Sequence, residues 1–277
     1  MKSGELNMAT EVIGYMRFLF VTLERTRDDK ELNEGISSLG DKMENMHVVD
    51  GSPTIDASRR GRFQYLRAEK ALSSERDIAH PKMLEADILI RIECETTEPL
   101  EKYEEGLRYL IEGRGGEMET LAGVQRPRSY TSHAMTQYAY ERALPHGPGA
   151  KYPIGVVMPQ NKNDEWWRMD WMRRESFFLP RYDDEGTIFA KGHALAAEEG
   201  IPCISRRLVH HPDGYGLAKG YDFIGYFEFA EESAGTFRSV MTALRSPSQN
   251  PEWAYVSEGP EWWGRRVGKP VDLWPVE

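Results

Sequence analysis

The residues best suited to chemistry crowd into one stretch of the chain, from Tyr152 to Gly200, which reads YPIGVVMPQNKNDEWWRMDWMRRESFF, then a loop, then FAKGHALAAEEG. Trp166, Trp167 and Trp171 fall within six positions there. Three indoles so close offer a broad, flat, apolar surface that suits an equally flat partner. His193 follows in a helix expected to begin near Gly186, with Phe189, Ala190, Ala194 and Ala197 on neighbouring turns. An imidazole offered from an apolar face with small neighbours suits an axial ligand of heme iron, the competing reading being a core histidine held by hydrogen bonds. Arg206 and Arg207 stand side by side in the next expected strand. Alternation sends them to opposite faces, so a site can use one of them.

Other motifs carry less. GxSxG, GxxxxGK[ST], HExxH and paired CxxC are all absent from the sequence. Gly214, Gly216 and Gly220 in GYGLAKG lie between two expected strands, where a hairpin connection explains them better than a dinucleotide loop. His210 and His211 are adjacent strand residues and face opposite ways, which argues against a shared metal. Asp183, Asp184 and Glu185 read as a solvated turn that starts the next helix with acids at its positive end. Cys94 and Cys203 are far apart and lack metal-ligand spacing, so neither a structural metal nor a disulfide framework is indicated.

These residues need strands and helices to position them. Apolar runs mark strands at about Tyr15–Glu24, Arg62–Ala68, Ala86–Glu95, Tyr152–Met158, Ile201–His210 and Tyr221–Phe229. Leu100, Tyr103, Leu107, Leu110 and Ile111 form a helical stripe, and Phe237, Met241 and Leu244 form another. The strings ADILIRIE and YDFIGYFE, each followed by an acidic turn and a helix, place Asp87 and Asp222 135 positions apart. An offset near half the chain length points to duplication, each copy running strand, helix, strand, strand, helix, with room for a final strand. That is the ferredoxin-like order. Two such units can cover their open sheet faces by closing into one α+β barrel with helices outside. The expected division is residues 1–125, a connector at 126–151 carrying Pro127 and PHGPG, and residues 152–277.

Length and charge narrow the setting. The 277 residues carry 45 acids against 35 Lys and Arg, a net charge of −10. Such a surface repels phosphate backbones and anionic lipid, so neither nucleic acid nor membrane is an expected partner. The longest apolar run, Val12–Leu23, is broken by Arg17 and falls short of the roughly 20 residues that cross a bilayer. The first residues make a poor secretory signal, so the expected location is cytoplasmic.

MPQNKNDEWWRM, the helical histidine followed by CISRRLVHH, then YDFIGYFEF, a helix ending in ALR, and YVSEGPEWWG together resemble the second half of the chlorite dismutase family, which includes coproheme decarboxylases. ADILIRIECETTEPLEKYEEGLRYL and SYTSHAM extend the resemblance loosely into the first half. It implies a duplicated α+β barrel, a homo-oligomer, and heme b bound in the second half. By the same resemblance His193 takes the proximal ligand position, Trp166 and Trp167 line the heme pocket, and Arg206 takes the place of the distal arginine, entering the barrel while Arg207 faces helices or solvent. The implied substrate is a small anion or a peroxide. A heme carrier or sensor, and a heme enzyme with a larger organic substrate, are the alternatives. Met158 stands before Pro159 where the decarboxylases have a tyrosine, and Arg206 where they have glutamine, so decarboxylation is not expected. Trp167 and His193 are 26 residues apart, longer than the family spacing, which implies an insertion near Pro180–Thr187. The family's proximal glutamate falls near Gln249 or Asn250, with Glu252 the nearest acid.

Overall fold

The computed structural model describes residues 14–23, 29–45, 63–126, 151–216 and 220–274. The first half supplies β1 (Gly14–Thr22), α1 (Lys30–Asn45), β2 (Phe63–Ala68), α2 (Pro81–Glu85), β3 (Ile88–Cys94), α3 (Glu98–Glu112) and β4 (Glu117–Gln125). The second half begins with β5 (Ile154–Lys162), the short helices α4 (Asp164–Arg168) and α5 (Trp171–Ser176), and a hairpin of β6 (Arg181–Tyr182) and β7 (Ile188–Ala190). It continues with α6 (Gly192–Ala196), β8 (Ile204–His210), β9 (Phe223–Phe229), α7 (Ala234–Leu244), β10 (Val256–Glu258) and β11 (Trp262–Val267). The connector expected at 126–151 and the SYTSHAM string lie outside the described residues apart from the connector's two ends.

Each half orders its strands alike, β2-β3-β1-β4 and β8-β9-β5-β11, and antiparallel pairing of β2 with β11 and of β4 with β8 closes eight strands into a barrel. The expected duplicated α+β barrel is therefore present. Its internal symmetry reaches single hydrogen bonds. The Asp87 amide donates to Val21 O while its carboxylate accepts from Leu23 N. The Asp222 amide donates to Gln160 O while its carboxylate accepts from Lys162 N. In both halves the aspartate ties the end of a central strand to its neighbour, which is why the two strings repeat. The final strands that periodicity left unplaced are β4 and β11.

Both sheet faces are buried, so the strands read as continuous apolar runs. Met16, Phe18, Phe20, Leu66, Leu89, Leu121, Val157, Val209, Ile224 and Trp262, drawn from all eight strands, fill the interior. The alternate residues face outward: Leu19, Val21, Ile88, Ile90 and Ile92 lie beneath α1 and α3, and Val156, Met158 and Phe229 beneath α7. The sequence reading did not find α1, whose apolar stripe is interrupted by glycines. The packing explains them, since a Cβ at Gly35 would lie 2.8 Å from Leu110 and one at Gly106 would lie 2.5 Å from Leu39, so the helices cross on bare backbone.

The helix expected from Gly186 is instead the β6/β7 hairpin. Gly186 sits at φ +81°. Asp183 accepts from Glu185 N and Thr187 N, closing an Asx-type turn that takes the acids away from helix initiation. The expected insertion falls on this hairpin.

The seam between β4 and β8 is thin, with a single bridge, Val124 to His210. Tyr221 reinforces it: its hydroxyl donates to Ala122 O at 2.7 Å and accepts from Ala122 N at 2.9 Å. Tyr221→Phe removes both bonds and is expected to cost about 1–3 kcal/mol, read by urea denaturation; an unchanged midpoint would show that the seam does not depend on them. Burial, set against the bond to Ala122, pushes the phenol from 10.0 up to about 12. The protonated form is the one the fold favours. Its contribution is full below pH 10.0 and is lost as pH rises toward about 12.

Candidate functional site

Local chemistry sets the segment that carries the tryptophans. Asn163 caps α4 by accepting from Trp166 N at 3.0 Å, and Asp170 caps α5 by accepting from Arg173 N at 2.9 Å. The chain then turns so that Phe177 O accepts from His193 N and Phe178 O from Ala194 N. Gly192 makes this approach possible. It lies at φ +64°, and a Cβ there would come within 2.4 Å of Leu179 O.

His193 is delivered to a partly open cleft between the outer face of β5, β8 and β9 and the elements α6 and α7. Its lining is mostly apolar, including Leu208, Phe227, Val240, Met241 and Leu244. Gly225 opens the floor, because a Cβ there would crowd the Phe227 ring at 3.0 Å. Against this background the polar groups are few. Arg206, Gln160, Lys162, His193 and Glu252 face the cleft, as does Trp166.

His193 Nδ1 meets Glu252 Oε2 at 2.7 Å, and Lys162 Nζ pairs with the other carboxylate oxygen. Burial tends to raise the Glu252 carboxyl, but Lys162 and His193 outweigh it and hold the group well below the usual carboxylate range. Burial also keeps His193 below an ordinary imidazole despite the attraction of Glu252, and Arg206 and Lys162 add to the lowering. The imidazole is therefore neutral, with its proton on Nδ1 toward the carboxylate. Its Nε2 lone pair is buried and has no hydrogen-bond partner. Among the described residues no group of three His, Cys, Asp or Glu side chains could hold a metal by itself. An iron at His193 would thus have to arrive inside a larger ligand, and a largely apolar cleft into which a buried imidazole nitrogen presents an unpartnered lone pair fits heme.

The structure brings together three of the four residues singled out from the sequence: His193, Arg206 and Trp166. Lys162 Nζ lies 4.1 Å from the centre of the Trp166 ring, a cation–π contact. Trp167 does not line the cleft. It stacks on Tyr215 at 5.1 Å and gives its indole N–H to Asp222. The partner of the histidine is Glu252, from the turn Pro251–Tyr255, rather than Gln249 or Asn250. Gln249 O accepts from Gly192 N, and the Asn250 amide donates to Leu244 O.

The arginines also differ from expectation. Arg206 stays outside the barrel, in the cleft, and Arg207 is the one on the interior side. Arg207 shares a parity with Tyr226, near Arg91, Glu93 and Glu228, and burial together with Arg91 lowers its guanidinium pKa. Closure of the sheet puts the site between barrel and helices rather than inside the barrel. Lys162 went unnoticed in the sequence, although a lysine ending an apolar strand four residues before Trp166 was the available signal. No helix among the described residues is long and apolar enough to cross a membrane.

No family model matches the chain, and no curated protein matches it. Solved structures do. A chlorite dismutase variant from Candidatus Nitrospira defluvii aligns with a TM-score of 0.64 at 18% identity, covering 96% of this chain and 95% of that one. A cyanide complex of another variant from that organism gives 0.63 at 19%, covering 96% and 95%. The same organism's chlorite dismutase in complex with imidazole gives 0.63 at 19%, covering 95% and 94%. The chain shares the chlorite dismutase fold over nearly its whole length.

Proposed function

We propose that this chain is a divergent heme-binding member of the chlorite dismutase family, an oxidoreductase acting on a small oxyanion or a peroxide. The observation that carries the reading is the buried, unpartnered Nε2 of His193 in an apolar cleft that also holds Arg206. Heme b is the cofactor this site would hold, with His193 Nε2 the atom available to its iron and Trp166 among the residues that would line its pocket. When bound, it supplies a redox-active iron at which a chlorine–oxygen or oxygen–oxygen bond can break.

The chain's own residues do the rest. Glu252 keeps the proton on His193 Nδ1, which fixes the ring and makes Nε2 a stronger donor. Lys162 holds Glu252 in place and keeps it ionised. The mostly apolar lining lowers the local dielectric, so the charge on Arg206 acts more strongly there than in bulk water. Met158 is fully buried beside Trp263 and offers no phenol, which supports oxidoreductase chemistry over decarboxylation. The net charge of −10 disfavours a nucleic-acid or anionic-membrane partner.

Titrating purified protein with hemin and then assaying chlorite and hydrogen peroxide turnover tests the proposal. A Soret band no different from free hemin would remove it. Glu252→Gln is expected to weaken heme binding by about 10–100-fold while leaving the far-ultraviolet dichroism intact, the range for losing an outer-shell partner. Unchanged affinity would mean that the carboxylate does not tune the ligand.

A further inference from the structure

The two aspartates that mark the duplication share a local task. β9 begins at Phe223, which pairs with Gln160, so the Lys162 amide two residues further along β5 has no backbone partner on β9. Asp222, immediately before β9, supplies the acceptor from its side chain, Oδ2 to Lys162 N at 2.9 Å. In the first half Asp87 precedes β3 in the same way and takes Leu23 N at 3.0 Å. Beyond that tie the halves diverge. The other Asp87 oxygen meets Lys70 Nζ, an exposed cation. Asp222 is buried and gathers neutral N–H groups from elements around the cleft, the Trp167 indole at 3.3 Å and the Gly216 amide. Gly216 lies at φ +65°, and a Cβ there would come within 3.1 Å of the Trp167 ring, so this residue closes over the indole. Lys162, whose amide is held here, reaches with its side chain to Glu252, the partner of His193.

We propose that Asp222 is a positioning residue of the His193 site: its carboxylate fixes Lys162 against Glu252 and keeps Trp167 out of the cleft. The inference rests on the heme-binding reading given above. One carboxylate joins β5, α4 and the β8/β9 connection, and its loss releases all three. With Lys162 displaced, the charge of Glu252 is less compensated and draws the Nδ1 proton more strongly. Nε2 then becomes a stronger donor, which favours ferric over ferrous iron. Asp222 therefore acts on the potential through Lys162, an effect separable from loss of stability.

Redox titration of the heme-loaded full chain, with tryptophan fluorescence of the same chain before loading, tests the assignment. Asp222→Ala and Lys162→Met should each lower the ferric/ferrous midpoint potential. The double variant should go no lower than Lys162→Met, the non-additivity of residues acting through one contact. Asp87→Ala cuts the matching tie in the first half and should leave the potential at the wild-type value. Asp222→Asn keeps one oxygen for Lys162 N and Trp167 Nε1 and should recover most of the wild-type potential. Before heme is added, Asp222→Ala should change the emission spectrum, and the change should vanish in a Trp167→Phe background. Near-ultraviolet dichroism reports folding, and Asp222→Ser takes the place of the alanine variant if that one does not fold. Additive shifts, an equal shift in Asp87→Ala, or an unmoved emission spectrum would overturn the assignment. A wild type with no Soret band would remove the heme reading and with it the step through Lys162, while the emission result decides the hold on Trp167 in either case.

Discussion

Replacing His193 with alanine is expected to abolish the Soret band of the heme-loaded protein, a loss of affinity of more than about 100-fold, since removing the ligand itself should exceed the effect of removing its outer-shell partner. The expectation rests on the distribution of nitrogen lone pairs in the cleft. His193 Nε2 is buried and has no hydrogen-bond partner, whereas Lys162 is paired with Glu252. His210 and His211 do not line the cleft: His210 packs against Tyr215 and Phe223, and His211 against Tyr221. Imidazole added to the variant should restore the band by filling the space left by the ring, which separates a lost ligand from a lost fold. If the variant keeps its iron ligation unaltered, the assignment moves to another residue and the proposed function loses its central support.

Arg206→Gln is expected to retain heme and lose about 100-fold in turnover of chlorite or peroxide, the scale for deleting one preorganised donor that meets developing negative charge. A guanidinium presents donors in a fixed fork and stays protonated at any working pH, so it can hold an oxyanion where water is scarce. β8 alternates strictly through this region: Arg206 is opposite Phe227, which lines the cleft, and Arg207 is opposite Tyr226, inside the barrel. Arg207→Ala should therefore leave turnover near wild type while lowering stability, because it removes one cation from a buried ionic cluster. The reverse pattern, with Arg207→Ala inactive and Arg206→Gln active, would assign the anion to the barrel interior. Full activity in both would dispose of the electrostatic mechanism.

What local sequence determined is the strand pattern, the duplicated strings around Asp87 and Asp222, and the concentration of tryptophans before a helical histidine. Each of these depends on neighbours within a few residues: alternation along a strand, a side chain capping the adjacent strand, or apolar spacing along a helix turn. The same local information left three matters open, and the folded chain decided them. Alternation showed that Arg206 and Arg207 face opposite ways, but only closure of eight strands made one of those faces a barrel interior and the other a cleft under α6 and α7. Trp166 and Trp167 are indistinguishable as a dipeptide, yet the cap at Asn163 turns α4 so that one lines the cleft and the other stacks on Tyr215. The partner of His193 is 59 residues away, in a turn whose position depends on α7 and on the contact of Gln249 with Gly192. Which carboxylate reaches an imidazole across that distance is set by the path of the intervening chain, and no periodicity in the sequence records that path.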